Sequence, residues 1–345
     1  MTERLDSLAA LVEEPLLVTN PTNLYYLCGL RSSNAALLVE PGRARLFSDF
    51  RYAEAGRGVE GVEFEETKRA LLNDLAQRLS GRIGVEADAI SYAGYETLGA
   101  GRVEPVPRRG LVEQLRAVKD DDELASIRRA CNIADRVFER LADERFVGRT
   151  ERDVAWTIEQ LFHDEGGEAL AFETIVASGP NSARPHGRAT EREIGRGETV
   201  VIDTGCLVGG YASDYTRTFM TGEVEDDVLA AYDVVLAAQR AGLEALRAGI
   251  PGVEADSAAR SVVEASPFAG TFGHGLGHGL GLDVHEAPRL SMESTDTLAA
   301  GNVVTVEPGV YLEGRFGIRI EDNVVVTEDG IENFTALRKD LVTVD

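Results

Sequence analysis

The 345-residue sequence predicts a mixed α/β (α+β) protein with a smaller domain at residues 1–112 and a larger domain at residues 113–345. Three observations support this fold class. Short apolar runs alternate with amphipathic helical stretches in the first part of the chain, as is typical of an α/β domain. The proline-rich segment Pro105–Gly110 is then expected to be a linker. The second part combines long helical stretches with two strand–turn–strand segments that each contain two acidic residues.

The smaller domain shows a regular order of predicted elements. A helix is expected at residues 2–12, strands at 16–19, 35–39 and 44–47, a helix at 71–79, and a strand at 81–85. Leucines recur at helical spacing in the second of these helices. The dipeptide Pro41-Gly42 is a turn signal that joins two of the strands into a hairpin. Strands that alternate with helices in this way favour a small α/β domain.

The larger domain begins with two helices that have clear start signals. Asp120 is the expected N-cap of a helix over residues 121–142, and the acids that follow it are favourably placed at the positive end of that helix. The segment Thr150-Glu-Arg-Asp153 resembles a capping box and predicts a helix to about Asp164. A similar segment, Val253-Glu-Ala-Asp256, precedes another helix, which hints at two similar halves.

A glycine-rich stretch contains three of the protein's five histidines, His274, His278 and His285. Glycine occupies every second position from Gly273 to Gly281, which disfavours a helix because each glycine costs about 1 kcal/mol relative to alanine. In an extended chain the first two histidines share one face, and the bare glycine face lets another backbone approach closely. These two side chains would lie roughly 13 Å apart, at different points of one site.

Two pairs of acidic residues are predicted to face each other across β-ribbons. A turn centred on Val208-Gly209 places Asp203 opposite Asp214. Glu307 and Glu321 are likewise symmetric about a glycine in the turn between them. Like charges directly opposite each other repel, so each pair requires a cation. With one histidine, the four carboxylates form an oxygen-rich site suited to two divalent ions.

This predicted ligand set resembles that of the dinuclear metallopeptidases of the pita-bread fold. Its members are, in chain order, Asp203, Asp214, His278, Glu307 and Glu321. The sequence is most similar to the aminopeptidase P and prolidase branch, because the gap between its two glutamates is shorter than in methionine aminopeptidases. The resemblance covers most of the chain, and residues 23–52 are similar to the N-terminal domain of creatinases. It implies a creatinase-like domain at 1–112 and a pita-bread catalytic domain of two pseudo-symmetric halves at 113–345.

The resemblance also implies the metal chemistry. Asp203 would bind one ion, His278 and Glu307 the other, and Asp214 and Glu321 would bridge the two. A water between the ions would lose its proton to Glu307 and attack the scissile carbonyl as a metal-bridged hydroxide. Oxygen donors with a single imidazole favour Mn²⁺, with Co²⁺, Fe²⁺ or Zn²⁺ as alternatives.

Further catalytic residues follow from the same resemblance. His186 would reach over the metals towards the tetrahedral intermediate. His274 and His285 would line the leaving-group side, where His285 would hydrogen-bond substrate or product. A histidine that merely follows a proline in a turn is the alternative reading of His186.

Three other side chains are candidates for the substrate region. Arg319 is predicted on the same face of its strand as Glu321 and would hold a carboxylate ligand in place. Tyr311 is likewise predicted on the same face as Glu307. Arg289 would pair with a substrate's C-terminal carboxylate; the alternative is a solvated surface arginine.

Composition excludes several classes of partner. The net charge of −24 disfavours binding to nucleic acid and to anionic membranes. We see neither a membrane-spanning run nor a secretory leader, so a cytoplasmic enzyme is expected. Lysine occurs at three positions only. A lysine-poor acidic surface favours a halophilic host, although a GC-rich genome would also explain the arginine content. The resemblance implies a homodimer acting on short Xaa-Pro peptides.

Three functions remain open at this level. The favoured one is hydrolysis of the bond before proline, by a dipeptidase or by an aminopeptidase P. The short N-terminal region and Arg289 favour the dipeptidase. A creatinase-like amidinohydrolase does without the full metal set, so the five intact ligands count against it. A non-catalytic peptide-binding member of the same fold is the third possibility.

Overall fold

The computed structural model describes residues 2–345. The chain divides into two compact units, one ending at Arg116 and the other starting at Ala117. The domain boundary predicted at 112/113 lies four residues before this division and stays a proposal. Within the described residues no helix is both long and apolar enough to span a bilayer.

The first unit is built on a six-stranded mixed sheet with strand order β4-β3-β2-β1-β5-β6. Its elements are α1 (Glu3–Leu11), β1 (Leu16–Val18), α2 (Pro21–Cys28), β2 (Ala35–Glu40), β3 (Arg43–Asp49), α3 (Ala53–Arg57), β4 (Glu63–Thr67), α4 (Leu71–Arg78), β5 (Ser80–Glu86), α5 (Tyr92–Gly99), β6 (Arg102–Arg108) and α6 (Glu113–Ala117). Apolar side chains of the sheet, α4 and α5 form its core. The strands and helices expected in this unit are therefore confirmed.

The linker predicted at Pro105–Gly110 is wrong for most of its length. Residues to Arg108 form β6, which pairs in parallel with β5, and Pro105 lies opposite Ile83. Because β6 is an edge strand, prolines that lack an amide hydrogen are tolerated there. The proline signal therefore marked a sheet edge.

The second unit contains four helices and four small sheets among the described residues. The helices are α7 (Asp121–Leu141), α8 (Glu151–Asp164), α9 (Asp226–Ala245) and α10 (Gly252–Glu264). The strands are β7 (Ala169–Leu170), β8 (Ile175–Ser178), β9 (Thr199–Thr204), β10 (Cys206–Val208), β11 (Tyr211–Ala212), β12 (Tyr215–Met220), β13 (Gly277–Gly279), β14 (Glu286–Leu290), β15 (Val303–Val306), β16 (Gly309–Leu312), β17 (Phe316–Arg319), β18 (Asp322–Val326), β19 (Ile331–Asn333) and β20 (Val342–Thr343). The sheet orders are β11-β10-β7, β20-β12-β9-β8, β14-β13-β15-β18-β19 and β16-β17.

The second unit has two hydrophobic cores, each containing a pair of helices. One core joins α7 and α8 to β8, β9 and β12, and the other joins α9 and α10 to β15, β17 and β18. This gives the two α/β halves of a pita-bread domain. The capping box predicted at Thr150 is present at the start of α8, and the predicted N-cap Asp120 caps α7, where it also forms a capping box with Glu123.

Candidate active site

The register of the β-ribbon that turns at Gly314 brings Glu307 and Glu321 together, as predicted. Val306 pairs with Asp322 on one side of these acids, and Gly309 pairs with Arg319 on the other. Both pairs have the same register although they belong to different sheets, and residues 307 and 321 lie between them, so the two glutamates face each other. The turn at the end of the ribbon contains Gly314 with φ 73°, a conformation that glycine adopts without strain.

The register predicted for the two aspartates is wrong. Their turn is centred on Gly209-Gly210, with φ 60° and 84°, because a two-residue hairpin turn with both φ values positive strongly favours two glycines. Asp203 therefore lies opposite Thr216, and Asp214 is its diagonal neighbour. Side chains two residues apart share a face of a strand, so both carboxylates still lie on one side of the ribbon.

His278 lies among these acids and presents one ring nitrogen to them. Its Nδ1 donates to the Gly279 carbonyl at 3.1 Å, which leaves the lone pair on Nε2. That Nε2 is 3.6 Å from Asp214 Oδ2 and 3.4 Å from Glu307 Oε1. Ligand atoms of Asp214, His278 and Glu321 all lie within 4.8 Å of one another. A histidine oriented in this way by a backbone carbonyl is typical of a metal ligand.

Close backbone approach holds His278 in place, as expected from its flanking glycines. A Cβ on Gly277 would lie 2.0 Å from the Thr305 carbonyl oxygen, and one on Gly279 would lie 2.2 Å from that of Ala287. Neither glycine has a positive φ. Glycine is required here for space, because β13 lies between β14 and β15.

Burial raises the proton affinity of three acids of this cluster. Burial, reinforced by Glu321 and Asp203, raises the pKa of Asp214 well above its ordinary value. Burial also raises the pKa of Glu321 and that of Glu307, the latter to about 8. The pKa of His278 is lowered to about 4, mainly by burial. Such a site favours neutral groups unless a cation compensates the carboxylates.

Two orphaned oxygens test whether the site fits metal ions. Arg319 donates to Asp203 Oδ2 at 2.6 Å and Thr216 donates to Glu321 Oε2 at 2.6 Å. The other oxygen of each carboxylate, Asp203 Oδ1 and Glu321 Oε1, is buried and without a partner among the described residues. Buried polar atoms are rarely left unsatisfied. Each carboxylate is therefore held by one oxygen and offers the other, as a metal ligand does.

A chain of hydrogen bonds runs behind the carboxylates. Arg319, only 2% exposed, also donates to Tyr311 Oη at 2.9 Å and to Thr216 Oγ1 at 2.9 Å. His274 bonds through Nε2 to the same Tyr311 hydroxyl at 2.9 Å and through Nδ1 to the Gly275 carbonyl at 2.8 Å. Arg319 and His274 thus make these hydrogen bonds within the protein, and their assignment to substrate binding stays a prediction.

A cavity of about 840 Å³ opens over the cluster. Its lining includes all five predicted ligands, His186, His274, His285, Arg289 and Arg319. His285 is exposed, and its ring centroid lies 4.2 Å from that of His278. Arg289 lies opposite His278 on β14, and its guanidinium has no hydrogen-bond or ion-pair partner among residues 2–345. The cavity is large enough for a short peptide.

Two supporting residues were not predicted from the sequence. Thr216 links Arg319 to Glu321, and Asn323 accepts from the Asp214 amide at 3.1 Å and donates to the Asp214 carbonyl. The register of the first hairpin would have indicated Thr216, because it faces Asp203. Asn323 carries no comparable signal, since its partner lies 109 residues away.

Comparisons with known proteins agree with this geometry. Residues 125–328 match the model of metallopeptidase family M24, and residues 5–118 match the creatinase/prolidase N-terminal domain. An uncharacterised peptidase of Bacillus subtilis is 36% identical over 334 residues, covering 95% of each chain. An Xaa-Pro dipeptidase from Bacillus anthracis superposes with a TM-score of 0.94 at 35% identity, covering 99% of each chain. An X-Pro aminopeptidase from Thermotoga maritima superposes with a TM-score of 0.88 at 34% identity, covering 98% of this chain and 100% of its own. A pita-bread domain with a buried carboxylate–histidine cluster and a creatinase-type N-terminal domain makes this chain a member of metallopeptidase family M24.

Proposed function

We propose that this peptidase hydrolyses the bond preceding proline in short Xaa-Pro peptides, with dipeptides preferred. The observation that carries the proposal is the cluster of Asp203, Asp214, His278, Glu307 and Glu321 beneath a cavity whose wall presents an unpartnered guanidinium, that of Arg289. Relatives of both specificities have similar structures, so overall similarity does not choose between dipeptidase and aminopeptidase. Arg289 favours the dipeptidase.

The chain's own residues would hold two divalent ions, Mn²⁺ in the first place and Co²⁺, Fe²⁺ or Zn²⁺ as alternatives. Asp203 would serve one ion, His278 and Glu307 the other, and Asp214 and Glu321 both. When bound, the ions supply Lewis acidity that polarises the scissile carbonyl and the attacking water. Arg319 and Thr216 fix the carboxylates of Asp203 and Glu321 from behind.

Proton transfer would fall to Glu307. Burial raises the pKa of its carboxyl to about 8, and a bound cation would lower that pKa, so that the carboxylate is ionised and can accept a proton. His186 and His285 line the cavity above the carboxylates. They would donate hydrogen bonds to the developing oxyanion and to the product.

Arg289 would recognise the end of the substrate. In an Xaa-Pro dipeptide the carboxylate lies one residue beyond the scissile bond, and a planar guanidinium bonds such a group with two parallel hydrogen bonds. A longer peptide has no charge at that position. The acidic protein would otherwise repel an anionic substrate terminus.

The experiment measures metal content and activity together. Protein purified without chelator is analysed for bound metals, then assayed with Mn²⁺ in high salt on Ala-Pro, on an Xaa-Pro tripeptide and on creatine. We expect about two ions per chain and faster cleavage of Ala-Pro. Creatine hydrolysis would favour an amidinohydrolase, and bound peptide without turnover would favour a non-catalytic module. Preferred cleavage of the tripeptide would make the chain an aminopeptidase.

A further inference from the structure

Glu151 is a buried carboxylate that the proposed chemistry does not use. It lies in the first turn of α8 and is 0% exposed. Its Oε1 accepts from the amide and hydroxyl of Ser178, each at 2.8 Å, and from Asn181 Nδ2 at 3.2 Å. Its Oε2 accepts from the amide and hydroxyl of Thr190, at 3.0 and 2.6 Å, and again from Asn181 Nδ2 at 3.0 Å. Both oxygens of this carboxyl group therefore bond to donors from three different residues.

The partners of Glu151 bracket the segment that carries His186. Ser178 ends β8, Asn181 lies in the 3₁₀ turn Gly179–Ala183, and Thr190 follows the histidine. Residues 184–188 are also held by bonds from the Arg184 amide to the Asn181 carbonyl at 3.1 Å and from the Gly187 amide to the Arg184 carbonyl at 3.0 Å, and by an exposed ion pair between Arg188 and Glu173 at 3.4 Å. One side chain therefore fixes both ends of this loop.

A second contact ties the loop to the carboxylate cluster. Arg319 donates to the carbonyl of Pro185 at 3.1 Å, immediately before His186, and to Asp203 at 2.6 Å. The 3₁₀ turn also packs closely on β17, because a Cβ on Gly317 would lie 2.0 Å from the Ser182 carbonyl oxygen. With its ends held by Glu151, the loop presents Pro185 to Arg319 and His186 to the cavity.

The other half of this unit has a counterpart. On α10, buried Asp256 accepts from the Leu276 amide at 3.0 Å and pairs with Arg260 at 2.7 Å. Arg260 in turn donates to the carbonyls of Phe272 and His274, at 2.7 and 2.6 Å. Each half thus uses an acid on its second helix to hold a loop that carries a cavity histidine.

We propose that Glu151 is a positioning residue for His186, which it holds over the scissile bond by clamping both ends of the 178–190 loop. The inference rests on the proposed function, since it assigns Glu151 a part in the same reaction. Moving a catalytic group by about 1 Å can lower the rate roughly 100-fold. His186 would bond an oxyanion that forms only in the transition state, so its displacement does not weaken substrate binding. The clamp therefore acts on kcat and leaves KM nearly unchanged.

The test is a double-mutant cycle with a structural readout. Glu151→Gln keeps the shape of the side chain but cannot accept from both backbone amides. We expect kcat for Ala-Pro to fall about 10- to 100-fold with KM within about threefold. In a His186→Ala background the same substitution is expected to lower kcat by less than about twofold, because the two residues act as one unit. Additive losses would mean that Glu151 does not act through His186 and would overturn the proposal.

Amide hydrogen exchange, measured by mass spectrometry, distinguishes a local loosening of the 178–190 loop from a loss of overall stability. Exchange in the 178–190 segment is expected to rise in Glu151→Gln and in the milder variants Asn181→Ala and Thr190→Val, which keep the carboxylate. Glu165→Gln, at the other end of α8 and paired with Arg136 and Arg140, is the matched control and leaves both readouts unchanged. Unchanged exchange at 178–190 in all three variants would overturn the clamp. If the unaltered protein cleaved no Xaa-Pro peptide, the proposed function would fail, and exchange would still decide whether Glu151 holds the loop.

Discussion

At the scale of single residues, His274 illustrates how neighbours determine protonation. Its Nδ1 faces the Gly275 carbonyl, which only accepts, so Nδ1 carries the proton and Nε2 accepts from the Tyr311 hydroxyl. Burial and the nearby positive charge of Arg319 lower the pKa of His274 to about 4. The ring is therefore neutral at physiological pH, and the Tyr311 hydroxyl is left to accept from Arg319.

This neutral ring predicts a loss of stability in acid. Between pH 6.5 and about 4 the unfolded chain protonates His274 while the folded protein does not, so the free energy of unfolding falls as the pH is lowered. The total loss from this group is up to about 3 kcal/mol and is complete below pH 4. Urea unfolding from pH 8 to pH 4 checks this expectation. His274→Asn should reduce the fall in the free energy of unfolding between pH 6.5 and pH 4. An unaltered pH profile in this variant would contradict the lowered pKa of His274.

Arg289 predicts substrate preference at the same scale. Removing the guanidinium in Arg289→Ala should raise KM for Ala-Pro about 10- to 100-fold, since charge-assisted hydrogen bonds contribute roughly 1.5–3 kcal/mol and each 1.4 kcal/mol is tenfold. Cleavage of an Xaa-Pro tripeptide should change much less. Steady-state kinetics on both substrates measure the difference. Equal losses would mean that Arg289 supports β14, and no loss on either would favour an aminopeptidase.

At the scale of secondary-structure elements, the two acid-bearing hairpins meet at Asp214 and Glu321, the residues expected to bridge the ions. Replacing either by alanine should abolish binding of both ions and lower activity at least about 100-fold, because even changes behind a metal ligand cost 10- to 100-fold. Metal analysis after dialysis and kcat/KM on Ala-Pro provide the measurement. Glu313→Gln, in the turn of the second hairpin, is a control. A mutant with two bound ions and normal turnover would refute the ligand roles.

The two hairpins also show what could be predicted from sequence. The Glu307–Glu321 register followed from a turn symmetric about Gly314, because no residue is inserted in either strand. The Asp203–Asp214 register shifted because either Val208-Gly209 or Gly209-Gly210 could occupy the turn, and the positive φ of both glycines decides the outcome. The contacts of Glu151 could not be predicted from the sequence, because its partners lie 27 to 39 residues away and are brought together only by the fold.

At the scale of the whole molecule, charge is the dominant feature. The chain carries 59 acidic and 35 basic side chains, and three lysines among the latter. Arginines form many of the surface ion pairs, such as Arg43–Glu63 and Arg152–Glu191. Exposed pairs of this kind contribute little individually. The excess of acidic residues leaves a net charge of −24, and repulsion among these charges opposes folding at low salt.

That repulsion predicts a stability that depends on salt. If the acidic surface is an adaptation to a salt-rich cytoplasm, the melting temperature should rise with KCl up to molar concentrations. Simple screening is nearly complete once the Debye length falls to about 3 Å, near 1 M salt. Thermal unfolding in 0.1 to 3 M KCl, with the metal content held constant, measures this dependence. A melting temperature that does not change with KCl would reject salt adaptation and leave a GC-rich genome as the explanation for the arginine content.

The packing of β13 also limits how this protein can change over generations. Gly275 and Gly277 line the cavity, and an added methyl group at either of them or at Gly279 would meet a carbonyl oxygen of a neighbouring segment within 2.8 Å. In a library of all single substitutions selected for activity, these positions should accept almost nothing but glycine. The exposed Glu293 and Thr295 at the cavity wall should vary freely. New specificity is therefore expected to arise by substitutions at the rim of the cavity, while the glycines that flank His278 are retained.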